Sequence, residues 1–365
     1  MAETPRVAYT IEQCWHRVPG GTAVTAIETA RALVERKTAD LVGVAAWHRR
    51  DPPLPFVPPI PVKHLPLPRT ALYEAWHRLR LPPVGIATGP VDVIHATSIA
   101  VPPRSAPLVV TIHDLLWLDQ PEHFTPRGLR FFHGGLRRAQ QDADLVLCPS
   151  RATLDGCAAA GFEPARLRLV PMGVAARPAS REDVERVRGR YRLARPYVLW
   201  VGTIEPRKNL RRLIEAFDRL DADIDLVLVG PEGWNETLGK LLPTRRETIR
   251  PLGFVPRDDL APLYSGAEVF CFPSLLEGFG LPVLEAMAQR TPVVTSRGTS
   301  TEELARDAGV LVDPYDSVAI ADGISRLLDD AGFRERVVDA GTERVAQYPW
   351  TRTAELVGRA YAEVA

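Results

Sequence analysis

Two short segments of this 365-residue chain bring together side chains that could hold a phosphate. The first is Val201-Gly202-Thr203-Ile204-Glu205-Pro206-Arg207-Lys208-Asn209-Leu210, which leads from an apolar run into a helical pattern. Arg207 offers a planar fork of donors and Lys208 a mobile point charge, a combination suited to a diphosphate. Cations at a helix start oppose its dipole, so they call for an anion rather than plain solvation. The second segment is Glu277-Gly278-Phe279-Gly280-Leu281-Pro282-Val283-Leu284-Glu285-Ala286. Its glycines let a ligand approach the backbone, and Pro282 suits the first turn of a helix. The amides ahead of that turn could hold phosphate oxygens. Glu277 on the loop and Glu285 one turn into the helix can accept hydrogen bonds from sugar hydroxyls. In isolation Glu277 would be a helix-entry acid and Glu285 an exposed helix residue. The neighbours Val283, Leu284, Ala286 and Met287 make an apolar setting in which a carboxylate needs a partner.

Two further loops follow predicted strands. Pro19-Gly20-Gly21-Thr22 could be a tight turn or a close backbone approach to a ligand. In Thr111-Ile112-His113-Asp114-Leu115, His113 ends a strand at the same carboxyl edge, either as a structural residue or as a ligand contact. Three acidic DxD patterns, at Asp142/Asp144, Asp221/Asp223 and Asp223/Asp225, precede apolar strands, where Asp is a common turn residue. Without Cys/His clustering no zinc site is expected.

The elements that must carry these loops are legible as alternating apolar strands and helical patterns. Strands are predicted at Val7–Ile11, Leu41–Ala46, Val91–His95, Leu108–Ile112, Leu145–Cys148 and Leu167–Val170. A second series follows at Tyr197–Val201, Leu226–Val229, Val269–Phe272, Pro292–Thr295 and Val310–Val312. Helices are predicted at Ala23–Arg36, Arg127–Ala139, Arg151–Ala160, Leu210–Leu220, Leu281–Gln289 and Val318–Leu328. Short all-apolar strands separated by helices indicate parallel sheets covered on both faces. Two such series imply two doubly wound α/β domains, 1–180 and 181–349, with a C-terminal helix at 350–365 near the first domain. Proline-dense Asp51–Pro61 is a surface connector or a wall of an acceptor site. Segments 71–80 and 127–138 interleave arginine with Trp76, Leu79, Phe131 and Phe132. They are read as helices with a buried stripe or as a peripheral membrane contact.

Composition narrows the class. Lys+Arg equals Asp+Glu at 45 each, which argues against a nucleic-acid partner. Cys14, Cys148, Cys157 and Cys271 form no CxxC pair and are read as reduced thiols. No signal peptide and no membrane span are read, so a cytoplasmic protein is expected, with contact at the inner face of the membrane left open.

GTIEPRKN, combined with the Glu277-to-Glu285 E-x7-E element and the PVVTS strand after it, resembles the retaining GT-B glycosyltransferases of family 4. The resemblance covers essentially the whole chain. It implies two Rossmann-like domains facing a central cleft, the first binding acceptor and the second a nucleotide sugar. It assigns Lys208 and Arg207 to the donor diphosphate, Glu285 to the ribose and Glu277 to the donor sugar's hydroxyls. Gly20 and Gly21 would lie against the donor phosphates or the acceptor. Gly202, Thr203, Val255, Gly278, Phe279, Gly280 and Leu281 would complete the donor site. His113 would face the donor sugar, and Asp114 would orient it or bind acceptor. His113, Arg207, Lys208 and Glu277 are thus the catalytic candidates. Many members carry Arg directly after the strand-end glycine, where this chain has Thr203, so Arg207 is expected to substitute. IEPRKN together with TIHDL looks most like polysaccharide mannosyltransferases using GDP-mannose, with a UDP-sugar such as UDP-glucose as the alternative. The acceptor would be a glycan or a lipid-linked sugar, with no cofactor beyond the nucleotide sugar and no metal. A sugar-nucleotide epimerase could share the architecture. A non-catalytic glycan-binding protein would be expected to lose the charged residues that are present here.

Overall fold

The computed structural model describes residues 4–16, 19–233, 236–242 and 247–365. It divides into two compact units. One comprises the chain to Gly173 together with Tyr348–Ala365; the other is Val174–Gln347.

The first unit is built on a seven-stranded sheet. Its strands are β1 (Arg6–Thr10), β2 (Asp40–Ala45), β3 (Val62–His64), β4 (Val93–Ala96), β5 (Leu108–Thr111), β6 (Leu145–Cys148) and β7 (Leu167–Leu169). They lie in the order β3-β2-β1-β4-β5-β6-β7, and every pairing is parallel. The order reverses between β1 and β4, the switch point where loops part to leave room for a ligand. On one face the helices Gly20–Glu35 and Trp350–Val364 pack together over Tyr9, Ile27, Leu33, Ala354, Val357 and Tyr361. Gly358 permits this, because a Cβ there would stand 2.1 Å from Thr38 Cγ2. On the other face Trp76, Trp117, Leu136 and Phe162 form the core.

The second unit carries β8 (Tyr197–Val201), β9 (Asp225–Val229), β10 (Ile249–Gly253), β11 (Val269–Phe272), β12 (Val293–Ser296) and β13 (Val310–Val312). Their order is β10-β9-β8-β11-β12-β13, again all parallel. Here the switch point lies between β8 and β11, the two strands that lead into the charged segments.

Three expectations are corrected. Strands β3 and β10 fall outside the predicted set because both are edge strands interrupted by polar residues, Lys63 and His64 in β3 and Arg250 with Pro251 and Gly253 in β10, and not apolar runs. The first long helix begins at Gly20, not Ala23, so the glycine pair forms its opening turn and not a separate loop. The proline-dense segment is anchored: Phe56 and Ile60 are buried in the first unit's core, and Pro61 O accepts from Gly43 N at 2.8 Å.

The aromatic residues of segments 71–80 and 127–138 are largely used within the first unit. Trp76 is buried, Phe131 stacks on Tyr73 and His77, and Phe132 stacks on Trp117. Leu79 remains exposed. Among the described residues no helix is long and apolar enough to cross a membrane. All four cysteines are buried free thiols.

Candidate active site

In the second unit, β8 ends at Val201, and Gly202 donates its N–H to Val229 O. Gly230, at φ +135°, lies so near that a Cβ there would be 1.9 Å from Gly202 O. The chain then makes a short 3-10 turn, Pro206–Lys208, and passes through Asn209 at φ 58° into the helix Leu210–Phe217. Asn209 Nδ2 donates to Pro273 O at 2.8 Å and to Pro314 O at 2.7 Å, tying the loops that follow β8, β11 and β13. Leu275 N donates to Arg207 O at 2.8 Å. This loop is therefore held by its neighbours before any ligand arrives.

Lys208, only 8% exposed, places Nζ 2.5 Å from Glu277 Oε1 and 4.9 Å from the centre of the Phe272 ring. Arg207 reaches Glu205 at 2.7 Å and Glu277 at 3.4 Å. The anion demanded by two cations at a strand end is thus present as a pair of buried carboxylates. Burial alone would raise the pKa of Glu277, but Lys208 and Arg207 bring it below the usual carboxylate range. Burial and the neighbouring charge of Arg207 lower the pKa of Lys208, which Glu277 and Glu205 oppose. Arg207 keeps 19% of its side chain exposed. Sequence reasoning did not single out Glu205, although its place just before the 3-10 turn was a signal.

The loop after β11 brings Glu277, Gly278 and Phe279 to Gly280, which caps the helix Leu281–Ala288 at φ 102°. A Cβ on Gly280 would come 2.6 Å from Thr301 Cγ2, so no side chain fits. Ser300 Oγ donates to Glu277 O at 2.7 Å and fixes this turn. Glu285 accepts from the Tyr264 hydroxyl at 3.0 Å; burial raises its pKa, which that hydrogen bond opposes. Tyr264 was not foreseen, since it lies 21 residues away in sequence on another helix. Thr203 is half-buried on the same strand exit. Val255 is buried, so Phe254, 64% exposed, is the side chain this segment offers to solvent.

In the first unit, Gly20 and Gly21 open their helix with nothing within 4 Å of where a Cβ would stand. His113 is oriented by a backbone carbonyl, its Nε2 lying 2.9 Å from Thr97 O. That bond fixes the proton on Nε2 and leaves Nδ1 as an acceptor; Nδ1 has no hydrogen-bond partner among the described residues. Burial lowers the imidazole's pKa, keeping it neutral. Asp114 Oδ1 accepts from Leu116 N at 3.4 Å, so Thr97 and not Asp114 supplies the hydrogen bond that aims the ring. A cavity of about 30 Å³ lies beside His113, lined in part by His95, Thr97, Thr111 and Met172. His95 bridges Thr111 Oγ1 (2.8 Å) and the Tyr361 hydroxyl (2.7 Å) of the C-terminal helix.

Four of the five DxD carboxylates pair with arginines. Asp142 pairs with Arg80, Asp144 with Arg104 at 2.8 Å, Asp223 with Arg195, and Asp225 with Arg195 at 3.5 Å.

Two parallel doubly wound units, with a cation pair beside a glycine-capped helix entry in the second, make a GT-B architecture. A family model described as Glycosyltransferase Family 4 matches residues 19–177, and one described as Glycosyl transferases group 1 matches residues 183–344. The O-antigen chain mannosyltransferase B of Escherichia coli is 34% identical over 281 residues, 74% of each chain. The MMP alpha-(1->4)-mannosyltransferase of Mycolicibacterium hassiacum is 28% identical over 292 residues, 73% of this chain and 69% of that one. Among solved structures, Anabaena Alr3699/HepE in complex with UDP and glucose superposes with a TM-score of 0.76 at 19% identity, covering 98% of this chain and 100% of that one. The chain belongs to family 4 of the glycosyltransferases.

Proposed function

We propose that this enzyme transfers mannose from GDP-mannose, with retention of anomeric configuration, to a glycan or lipid-linked acceptor in polysaccharide or glycolipid synthesis. The observation that carries the reading is the buried Lys208–Glu277–Arg207 arrangement at the exit of β8, beside the Gly280-capped helix. Breaking the bond from the anomeric carbon to the diphosphate builds negative charge on the leaving group. Preorganised cations and amides aimed at that charge are the main catalytic device. Arg207, Lys208 and the Gly278–Leu281 amides supply it, so the departing phosphate needs no metal to carry its charge. Glu285 binds the ribose, Glu277 the sugar hydroxyls, and the neutral His113 accepts a hydroxyl through Nδ1. The departing phosphate takes the acceptor's proton, so no carboxylate base is required. The mannosyl assignment is supported by the two mannosyltransferase relatives.

A thermal-shift screen against GDP, UDP, ADP and dTDP tests this, with Lys208→Ala and Glu285→Ala as controls. Ligand at about 100 times its Kd adds roughly 2.7 kcal/mol, a shift of a few degrees. GDP is expected to stabilise the protein and to lose its effect in both variants. Stabilisation by UDP alone would overturn the mannosyl donor, and indifference to every nucleotide would overturn the transferase mechanism.

A further inference from the structure

We propose that the ring platform formed by Trp15 and His48, backed by Glu12 and edged by His64, is the subsite that holds the acceptor sugar; this rests on the transferase reading above. The four residues leave the carboxyl ends of three adjacent strands: Glu12 and Trp15 follow β1, His48 follows β2, and His64 ends β3. That edge is where open parallel sheets take their ligands.

The platform is tied in place. Glu12, 3% exposed, accepts from Ala46 N at 2.8 Å and receives His48 Nε2 at 2.9 and 3.0 Å from its two oxygens. His64 Nδ1 lies 2.6 Å from Ala46 O, and Trp15 Nε1 donates to Arg50 O at 2.9 Å. The indole and the His48 imidazole stack 4.9 Å apart at 6°, with His64 edge-on to the indole at 5.6 Å and 84°.

These bonds determine what the platform offers. With its Nε2–H on a carboxylate, His48 presents Nδ1 as its remaining hydrogen-bonding atom. With its Nδ1–H on a carbonyl, His64 presents Nε2 as an acceptor. Among the described residues neither nitrogen has a partner. Trp15 and His48 are half-buried and His64 is exposed. Flat rings flanked by a few fixed polar atoms match a hexose, which has an apolar C–H face and a rim of hydroxyl donors. A purely structural cap for Ala46 N would need one acceptor, not three rings and a carboxylate converging from separate loops.

The platform shares a frame with His113. Thr97, whose carbonyl holds His113, receives Gln13 Nε2 at 2.7 Å and donates from Oγ1 to Thr10 O at 2.6 Å. Gln13 is the residue after Glu12. One string of hydrogen bonds thus joins the imidazole assigned to the donor sugar and the platform assigned to the acceptor.

The test uses α-linked mannobiose as acceptor probe and GDP-mannose as donor, with wild type, Trp15→Leu and His64→Gln. Three quantities are measured: the KM for mannobiose in transfer, the KM for GDP-mannose, and hydrolysis of GDP-mannose without mannobiose. Ligand-observed NMR of mannobiose gives a fourth readout independent of turnover. Both variants should raise the mannobiose KM by about tenfold, the loss of roughly one good contact, while the two donor quantities stay within about twofold. Because His64 is exposed, His64→Gln keeps the test alive if Trp15→Leu does not fold. An unchanged mannobiose KM in folded variants, or no mannobiose binding to wild type, overturns the subsite. If wild type neither binds nor hydrolyses GDP-mannose, the donor reading has failed instead, and mannobiose NMR on wild type against His64→Gln decides the subsite alone.

Discussion

Lys208 and Glu277 are coupled closely enough that neither can be removed alone without cost. Lys208→Met leaves Glu277 buried without its main partner, which costs about 3–5 kcal/mol if the carboxylate stays ionised. A lower unfolding free energy and a fall in kcat of about 10²–10³ are expected from urea unfolding and steady-state kinetics. The pair also sets a pH dependence. The folded-state pKa of Glu277 lies below its ordinary 4.5, so its stabilisation is fully present above that pH and is lost as pH falls through the folded value. In Lys208→Met burial then dominates and raises that pKa, so the acid-side loss should disappear and stability should instead fall as pH rises through the raised value. Glu285 behaves oppositely: its pKa is raised by burial and restrained by Tyr264. Tyr264→Phe should therefore weaken nucleotide binding most at mildly acid pH, where Glu285 is protonated first; a pH series of GDP titrations checks it. Individual residues were readable in sequence where motif and charge coincide, as at Arg207, Lys208, Glu277 and Glu285. Asn209, Tyr264 and Ser300 were not, because their partners lie on other strands and helices.

At the scale of elements, two helix entries with glycines differ in kind. Gly280 has a left-handed φ and no room for a Cβ, whereas Gly21 faces open space. Gly280→Ala should cost about 1–3 kcal/mol through strain and contact with Thr301 and should abolish the GDP response. Gly21→Ala should raise stability by up to about 1 kcal/mol, since alanine favours a helix. If a substrate approaches the backbone at Gly21, kcat/KM falls in the same variant that melts later; equal or better activity would remove Gly21 from the site. The central strands β1, β4, β5, β6, β8, β9, β11 and β12 were legible because burial on both faces requires continuous apolar runs. Edge strands β3 and β10 carry Lys63, Arg250 and Pro251 and offered no such run. The Trp15–His48 platform was equally hidden, since its rings come together only once β1 and β2 pair.

Across the whole molecule, two all-parallel sheets agree with the alternating pattern of the sequence, and the C-terminal helix joins the first. His95 on β4 bonds to Tyr361 on that helix across 266 positions. Burial pushes the His95 pKa down to about 3, so the folded state refuses a proton the unfolded chain accepts below about 6.5. Its stabilisation is full above that pH and is lost as pH falls toward 3, by at most about 1.4 kcal/mol per pH unit. His95→Gln should flatten the stability profile of the first unit between those limits, measured by urea unfolding at several pH values. The same helix sets an order on synthesis. One unit is interrupted by the whole of the other, and its helix Trp350–Val364 is translated after all of that other unit. The second unit has all of its residues together and can mature first on the ribosome. The first unit must keep the surface of Gly20–Glu35 uncovered until Trp350–Val364 emerges. A chain truncated before Trp350 should therefore already bind GDP while its first half stays sensitive to protease, leaving that half dependent on chaperones until Trp350–Val364 is made.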